Sequence, residues 1–563
     1  MPPQPATAAI DYRPEGFSTG GSRVLGRQSA GSGFLSGLFR HGSADTFYCL
    51  APSADDFSQF AARLAEVGQS EKSARWITPD RMDQLSVPGC LYHPAPGIGQ
   101  LAWRRRFGDP RAYSLCGVTH TTCSAAVLDA QGDLLLAPVQ PWDALICTSQ
   151  AVRRSLDHLL ESWSEYLAER VGGRPHTPIQ LPVIPLGVDC DAFEPRAENV
   201  AAGRALRKSL NIAAEDVVVL WVGRLSFHAK AHPLPMYRGL EEAAKRTGRK
   251  VHLLLAGWFA NKSLEEAFTT GARAWCPTVR TVFLDGRQEK VMRAVWFAAD
   301  LATSLVDNIQ ETFGLAPIEA MAAGLPQVVS DWDGFRDTVR HGVDGFRIPT
   351  TLPPCGSGEE LIGRYFADED TYDHYVGNVS QCTAVDTAAC ADAFARLISN
   401  DELRRTMGQA ARRRARERYD WSVVIKAYEQ LWRELQNRRQ HADETAPRRP
   451  TDPPHPLRDD PFSAFAAYPT ETLNMETLLT STPSSNAARL DKLLKTPMTN
   501  FAAPLLASRE ECLQTLDQIG RNGGCTLGEV LTDVPAPRLA RMQRTIGWLL
   551  KTDLLQMGGP PSD

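Results

Sequence analysis

The chain has 563 residues, 43% of them hydrophobic and 23% charged, with a formal net charge of −5. That length exceeds what one hydrophobic core organises, so two or three domains are expected. The composition is that of a water-soluble globular protein, the mild acidity gives no electrostatic reason to expect nucleic acid, and no apolar run reaches the roughly 18 residues that span a bilayer. The first residues, Met1-Pro2-Pro3-Gln4-Pro5, carry neither a basic nor an apolar segment, so no secretory leader is expected there. Twelve cysteines are scattered without a C-x-x-C pair, several in apolar stretches (Cys49, Cys90, Cys116, Cys147). This reads as reduced core thiols in a cytoplasmic protein. Cys382 and Cys390 are close in sequence but have no histidine beside them, and no metal site is expected.

Ala8 to Tyr12 reads as a first short strand. A glycine-rich loop follows, with Gly16, Gly20, Gly21, Gly26, Gly31 and Gly33, and a helix is expected to open at Ser32 or Gly33. Glycine lets backbone approach a ligand closely, and a helix start offers free N–H groups. Strands are expected at Thr46–Leu50, Gly89–Tyr92, Tyr113–His120 and Ala144–Ser149, with helices over Asp55–Val67 and Ala151–Leu167. Short parallel strands separated by helices make a doubly wound sheet. Functional residues of such sheets collect at the carboxyl ends of strands, where His93 and His120 stand. Trp103-Arg104-Arg105-Arg106-Phe107 reads as a solvated helix face, because three basic residues make a weak anchor for an anionic surface. Val183 to Asp189 closes the first domain, and the polar stretch Glu194–Gly203 is the expected hinge.

The second domain opens with Val217 to Val222, a continuous apolar run expected of a strand buried on both faces. It ends at Gly223-Arg224-Leu225-Ser226, with Lys230 soon after. Strands at Val251–Ala256, Val282–Gly286 and Leu301–Val306 continue the alternation. Gln310 to Gly324 then reads Q-E-T-F-G-L-A-P-I-E-A-M-A-A-G. A helix is expected from about Gly314, with Pro317 tolerated in its first turn and Gly324 as its stop. Glu311 thus lies on the loop before the helix and Glu319 more than a turn inside it. The N–H groups of Phe313, Gly314 and Leu315 lack intrahelical acceptors, and the helix dipole favours negative charge there. A carboxylate beside such a nest repels bare phosphate, so Glu311 fits neutral hydroxyls next to it. The combination suits a sugar attached to a diphosphate, held in a cleft between two domains.

Glu311 and Glu319 with the continuation E-A-M-A-A-G-L-P, and the turn Gly342-Val343-Asp344-Gly345-Phe346, resemble the retaining glycosyltransferases of the GT-B fold, the group 1 or family 4-like glycosyl transferases. Gly223 to Ser226 with Lys230 is similar to that family's G-R-L-S…K element, with one extra residue before the lysine. The strand ending at Ser149, the exit Pro185–Asp189 and the closing stretch Arg418–Ser422 ahead of a last helix also look like it. The resemblance covers residues 1–438 and implies an α/β GT-B fold of two facing Rossmann-like domains, each a doubly wound parallel sheet. Residues 1–200 would be the acceptor side and 201–438 the nucleotide-sugar side with a cross-over helix.

The resemblance further implies that Glu311 contacts the donor sugar, Glu319 the nucleotide ribose, and Phe313, Gly314 and Leu315 the sugar and diphosphate. Arg224 and Lys230 would neutralise the diphosphate. Fixed cations there stabilise a leaving group that gains negative charge, arginine as a two-pronged donor and lysine as a point charge. His120 would hydrogen-bond a sugar hydroxyl. Gly31 and Gly33 would stand near the acceptor and the donor phosphate, although the insertion from Arg13 to Ala30 is longer than usual. The implied activity is transfer of a sugar, with retention, from a nucleotide-diphosphate sugar to an unidentified acceptor, using no metal and no further cofactor. A phosphorylase or epimerase of the same fold, and a non-catalytic interaction protein with a vestigial sugar-nucleotide site, remain as alternatives.

Arg412, Arg413 and Arg414 read as solvated helix surface. Residues 439–485 read as a Pro-rich linker without a periodic apolar face. Residues 486–563 carry several helices and a terminal strand and read as a small, mostly helical, winged-helix-like module. Arg538, Arg541 and Arg544 give it only modest basicity, so a protein partner or self-association is expected of it rather than nucleic acid. Any membrane contact is expected to be peripheral.

Overall fold

A computed structural model describes residues 7–18, 26–69 and 71–558 of the chain; Gly20 and Gly21 of the glycine-rich loop lie outside the described residues. Residues 1–455 and 456–563 form separate compact units.

The first unit holds two parallel sheets. In lobe 1, β1 (Ala9–Asp11), β2 (Thr46–Leu50), β3 (Ser73–Ile77), β4 (Cys90–His93), β5 (Ser114–Val118) and β6 (Ala144–Ile146) lie in the order β3-β2-β1-β4-β5-β6. In lobe 2, β7 (Val217–Arg224), β8 (Val251–Trp258), β9 (Arg280–Asp285), β10 (Leu301–Ser304), β11 (Gln327–Ser330) and β12 (Gly345–Ile348) lie in the order β12-β11-β10-β7-β8-β9. Strand order reverses beside β1 and β4 in one sheet and beside β7 and β10 in the other, which opens crevices at those carboxyl ends. This is the two-lobed GT-B architecture. The runs Val217–Trp221 and Val251–Ala256 are buried throughout because helices cover both faces of the sheet.

Six helices position the site: α1 (Gly26–His41), α2 (Gln150–Val171), α3 (Leu315–Ala323), α4 (Glu359–Phe366), α5 (Tyr372–Gln381) and α6 (Trp421–His441). Ser149 caps α2, its hydroxyl accepting from the Val152 N–H, and Gly172 ends it at φ 78°. The chain crosses between lobes twice, side by side. The Val188 N–H donates to the Tyr419 carbonyl at 2.7 Å, and the Trp421 N–H donates to the Val188 carbonyl at 3.2 Å. Helix α6 then returns to lobe 1, where Trp421, Ile425, Tyr428, Trp432 and Leu435 join Phe34, Tyr92 and Cys116 in its core.

Several expectations are corrected. Helix α1 opens at Gly26, not at Ser32 or Gly33, so Gly31 and Gly33 sit inside it. A Cβ on Gly31 would lie 2.3 Å from the Gly16 carbonyl oxygen, and one on Gly33 would lie 3.1 Å from the Trp421 ring. Those glycines let the single turn Pro14–Phe17 and the Trp421 indole pack against α1; they do not line a phosphate loop. Ala197–Ser209, which overlaps the expected hinge Glu194–Gly203, is a helix; Gly203 lets it approach Phe297 of lobe 2. Arg105 is not solvated: it is 3% exposed and binds Asp143 through both terminal nitrogens at 2.7 and 2.6 Å. Nor are Arg412 and Arg414 loose on the surface. Arg412 donates to the carbonyls of Ala322 and Ala323, occupying acceptors that the end of α3 leaves open, and Arg414 donates to those of Asp337 and Thr338. The start of the Pro-rich segment is not free: Thr445 exchanges hydrogen bonds with Gln140, and His455 stacks on Trp103 at 4.2 Å.

The second unit is mostly helical. Its antiparallel sheet of β15 (Leu478–Ser481), β16 (Cys525–Thr526) and β17 (Leu555–Met557) packs with helices Ala487–Lys495, Arg509–Arg521, Leu527–Leu531 and Leu539–Lys551 around Leu479, Leu490, Ile519, Ile546 and Leu549. Strand β15 falls in a stretch read as linker. Arg538 pairs with Glu511, while Arg541 and Arg544 donate to the carbonyls of Pro504 and Leu505. No helix among the described residues is long and apolar enough to cross a membrane.

Candidate active site

The loop from β10 into α3 is built by two conformational demands. Gly314 has φ 88°, a region costly for residues with a side chain, and a Cβ there would lie 2.0 Å from the Phe335 ring. Phe313 is 1% exposed and packs with Ile318, Met321, Leu186 and Tyr419 in an apolar cluster that joins the lobes. Its ring anchors the loop, and the N–H groups of Thr312 and Phe313 are turned to the Glu311 carboxylate.

Lys230 Nζ lies 2.5 Å from Glu311 Oε2. The extra residue before Lys230 is absorbed in a turn: its N–H and that of Ala231 both donate to the Ser226 carbonyl, and the Ala229 N–H donates to Ser226 Oγ. Arg224, at the end of β7, donates to the Ala229 carbonyl at 2.9 Å, and Gln310 donates to the same oxygen. Arg224, Lys230 and Glu311 therefore share one scaffold. Burial alone would raise the Glu311 carboxyl, but the Lys230 charge and the N–H groups of Phe313 and Thr312 more than offset it and hold the group below the ordinary range. Glu319, inside α3, has weaker support. Burial pushes it up to about 7 against a partial pull from Lys230.

Lobe 1 meets this loop directly. The Thr312 hydroxyl donates to the His120 carbonyl at 3.2 Å, and the Thr148 hydroxyl donates to the Thr312 carbonyl at 3.3 Å. The His120 ring is half-buried; burial, with the Arg27 charge acting in the same direction, pulls it down to about 4, so it is neutral at pH 7. A neutral imidazole has one donor and one acceptor nitrogen, suited to a hydroxyl. The structure thus brings Arg224, Lys230, Glu311 and the start of α3 together, with His120 reaching the same loop from lobe 1. His93 instead binds Asp11 at 2.9 Å, tying two strand ends of lobe 1.

Sequence reasoning missed Asp333. Its backbone takes φ 41°, its carboxylate accepts from Ser149 across the lobes at 3.2 Å, and the next residue, Gly334, leaves no room for a Cβ, which would lie 2.4 Å from Phe313 Cα. Burial, reinforced by the Glu311 charge, pushes Asp333 up to about 8. The signal was present in Asp333-Gly334, a pair suited to left-handed backbone.

Residues 216–354 match the family described as glycosyl transferases group 1. Among curated proteins, D-inositol 3-phosphate glycosyltransferases of Mycobacterium tuberculosis and Mycobacterium bovis are 28% identical over 252 residues, covering 44% of this chain and 48% of theirs. The chain spans about half the length of the curated relatives it matches. Among solved structures, Anabaena HepE in complex with UDP and glucose is 16% identical, with a TM-score of 0.47, covering 76% of this chain and 99% of that one. Sucrose-phosphate synthase from Thermosynechococcus elongatus is 18% identical, with a TM-score of 0.45, covering 77% and 99%. The matched segment contains Arg224, Lys230, Glu311 and Glu319, so every lobe 2 residue of the candidate site falls within it.

Proposed function

We propose that the chain is a retaining glycosyltransferase that moves a sugar from a nucleotide-diphosphate sugar to an acceptor hydroxyl. The observation that carries this reading is the Lys230–Glu311 pair at 2.5 Å, set beside Arg224 and the free N–H groups of α3. A cation held by a carboxylate beside a helix start suits a ligand with a pyrophosphate on one side and hydroxyls on the other.

In this reading the pyrophosphate lies against Arg224, Lys230 and the N–H groups of Gly314 and Leu315. Glu311 accepts from donor-sugar hydroxyls, Glu319 from the ribose, and neutral His120 holds a sugar hydroxyl from lobe 1. As the bond between the anomeric carbon and the phosphate oxygen breaks, its electron pair goes to the diphosphate, where the fixed cations stabilise it. The acceptor oxygen bonds to the same face of the anomeric carbon, and its proton passes to the departing phosphate oxygen. No side chain is assigned as general base, and the reading uses no metal and no cofactor beyond the donor. The Gly31 and Gly33 assignment is withdrawn, since both serve helix packing.

The test is a panel of nucleotide sugars, read by thermal stabilisation and by anomeric analysis of products. One nucleotide sugar should stabilise the protein and yield product of unchanged anomeric configuration. Glu311→Ala and Arg224→Ala should each lower kcat by about a hundredfold or more, the scale of losing a preorganised transition-state contact; near-normal rates in both refute the assignment.

A further inference from the structure

Between β13 (Thr350–Thr351) and β14 (Ala384–Val385), which pair antiparallel, the chain leaves lobe 2 for the excursion 352–383 containing α4 and α5. This excursion touches both halves of the candidate site. Towards lobe 1, Tyr372 Oη lies 3.2 Å from Cys123 Sγ, and Tyr365 Oη accepts from the Ala125 N–H at 3.3 Å. Cys123 belongs to the loop that begins with His120, and Ala125 opens the helix that follows it, Ala125–Gly132. Towards lobe 2, Asn308 donates to the carbonyls of both Val376 and His228, Ser380 donates to Asp307 at 2.9 Å, and Gly377 is so close to His228 that a Cβ would lie 2.8 Å from that residue's own. His228 stands two residues before Lys230, and Asn308 three before Glu311.

The surface of the excursion has a definite chemistry. Tyr365 and Tyr375 stack with ring centroids 4.8 Å apart and planes 4° apart, and Tyr365, Tyr372 and Tyr375 are all half-buried. Residues 352–383 contain six acidic side chains (Glu359, Glu360, Asp368, Glu369, Asp370, Asp373) and one cationic side chain of fixed charge, Arg364. That arginine is taken by Asp370 and Glu369, and Asp373 stands 3.8 Å from His228. The facing loop 119–125 has His120 as its only ionisable group besides Cys123, with Arg27 of α1 acting on that histidine. Such a wall repels phosphate and carboxylate. With the Tyr372 and Tyr365 hydroxyls engaged by Cys123 and Ala125, half-buried phenol rings offer an apolar surface to the C–H side of a sugar or polyol.

We infer that residues 352–383 form the acceptor-side wall of the crevice, that Tyr365 and Tyr372 are its specificity-determining residues, and that the acceptor it admits is an uncharged sugar or polyol. This rests on the glycosyltransferase reading above and names the class of its second substrate. By bridging the His120 loop to the Lys230 loop, the wall also keeps water from replacing the acceptor.

The test uses the full chain with the nucleotide sugar that it hydrolyses or transfers. Glucose, glycerol and myo-inositol are compared with their monophosphates. A preference for the uncharged acceptors of about tenfold or more in kcat/KM is expected; a preference for the phosphates overturns the inference. Tyr372→Ala and Tyr365→Ala should raise acceptor KM by about fivefold or more, leave donor KM within about twofold, and speed transfer to water. Tyr372→Phe, which keeps the ring, should show only a small part of this effect, so a general loss of fold is told apart from a lost wall. If none of these acceptors is used, the hydrolysis rates of the variants decide, and unchanged hydrolysis overturns the inference. Should the wild-type protein bind no nucleotide sugar at all, the glycosyltransferase reading itself fails and this one with it. Donor binding without any effect of the tyrosines sinks the wall alone.

Discussion

Lys230 Nζ and Glu311 Oε2 stand 2.5 Å apart, and each makes the other tenable in a largely dehydrated crevice. Glu311 is 13% exposed at its side chain and Lys230 28%. Removing one partner leaves the other as an uncompensated partly buried charge. Lys230→Gln should therefore do two things. It should lower kcat by about a hundredfold, through loss of a cation at the departing diphosphate. It should also let the Glu311 carboxyl rise, because burial is then opposed only by backbone N–H groups. Steady-state kinetics and carboxyl titration by NMR check the two effects separately.

Glu319 ties stability to pH. Its carboxyl is pushed up to about 7 by burial, while in the unfolded chain it titrates near the ordinary value. The folded state therefore holds the proton longer. At pH values below about 4 both states are protonated and nothing is lost; stability then falls as pH rises towards about 7 and stays lowered above it. Glu319→Gln should raise Tm at pH 8 and leave it unchanged at pH 4, with a gain on the order of 2 kcal/mol at the higher pH. Thermal unfolding at the two pH values decides it.

Gly314 is held at φ 88° with the Phe335 ring where a Cβ would go. Gly314→Ala meets both obstacles at once. It should destabilise the first unit by about 2 kcal/mol or more and displace the loop that carries Glu311, costing activity beyond the loss of fold. Denaturant unfolding and nucleotide binding on the same sample separate these contributions.

The Arg105–Asp143 pair sits away from the crevice with both side chains at most 1% exposed. Asp143 is fully used: it takes two nitrogens of Arg105 and the N–H groups of Leu115 and Gln140. Arg105→Met leaves its charge without a counter-ion and should cost about 3–5 kcal/mol. Asp143→Asn together with Arg105→Met should recover part of that loss, which urea unfolding of the single and double variants measures.

The legible parts of this protein are those whose signal is local. The strands of lobe 2 announce themselves as unbroken apolar runs such as Val217–Val222. The start and the stop of α3 are written in Gly314 and Gly324, both at positive φ. What failed was long-range. Arg105 looks solvated until Asp143, 38 positions away, closes on it, and Arg412 looks solvated until the end of α3, some 90 positions back, presents its carbonyls. Gly31 and Gly33 look like a ligand loop because glycine serves close helix packing as well as close ligand approach; only the Gly16 carbonyl against Gly31, and the Trp421 indole against Gly33, tell the two apart. The excursion 352–383 carried no motif to read.

The place of α6 in lobe 1 has a consequence for how the protein is made. Trp421 fills a slot between Gly33, Gly37 and Gly187, and residues as late as Leu435 finish the apolar interior begun at Ala8. A ribosome must therefore translate the whole of lobe 2 before lobe 1 has its last layer. In the interval the nascent lobe 1 exposes an unfilled aromatic trough, which makes it a client for chaperones and a site of premature aggregation. A fragment stopped at residue 420 should accumulate in inclusion bodies.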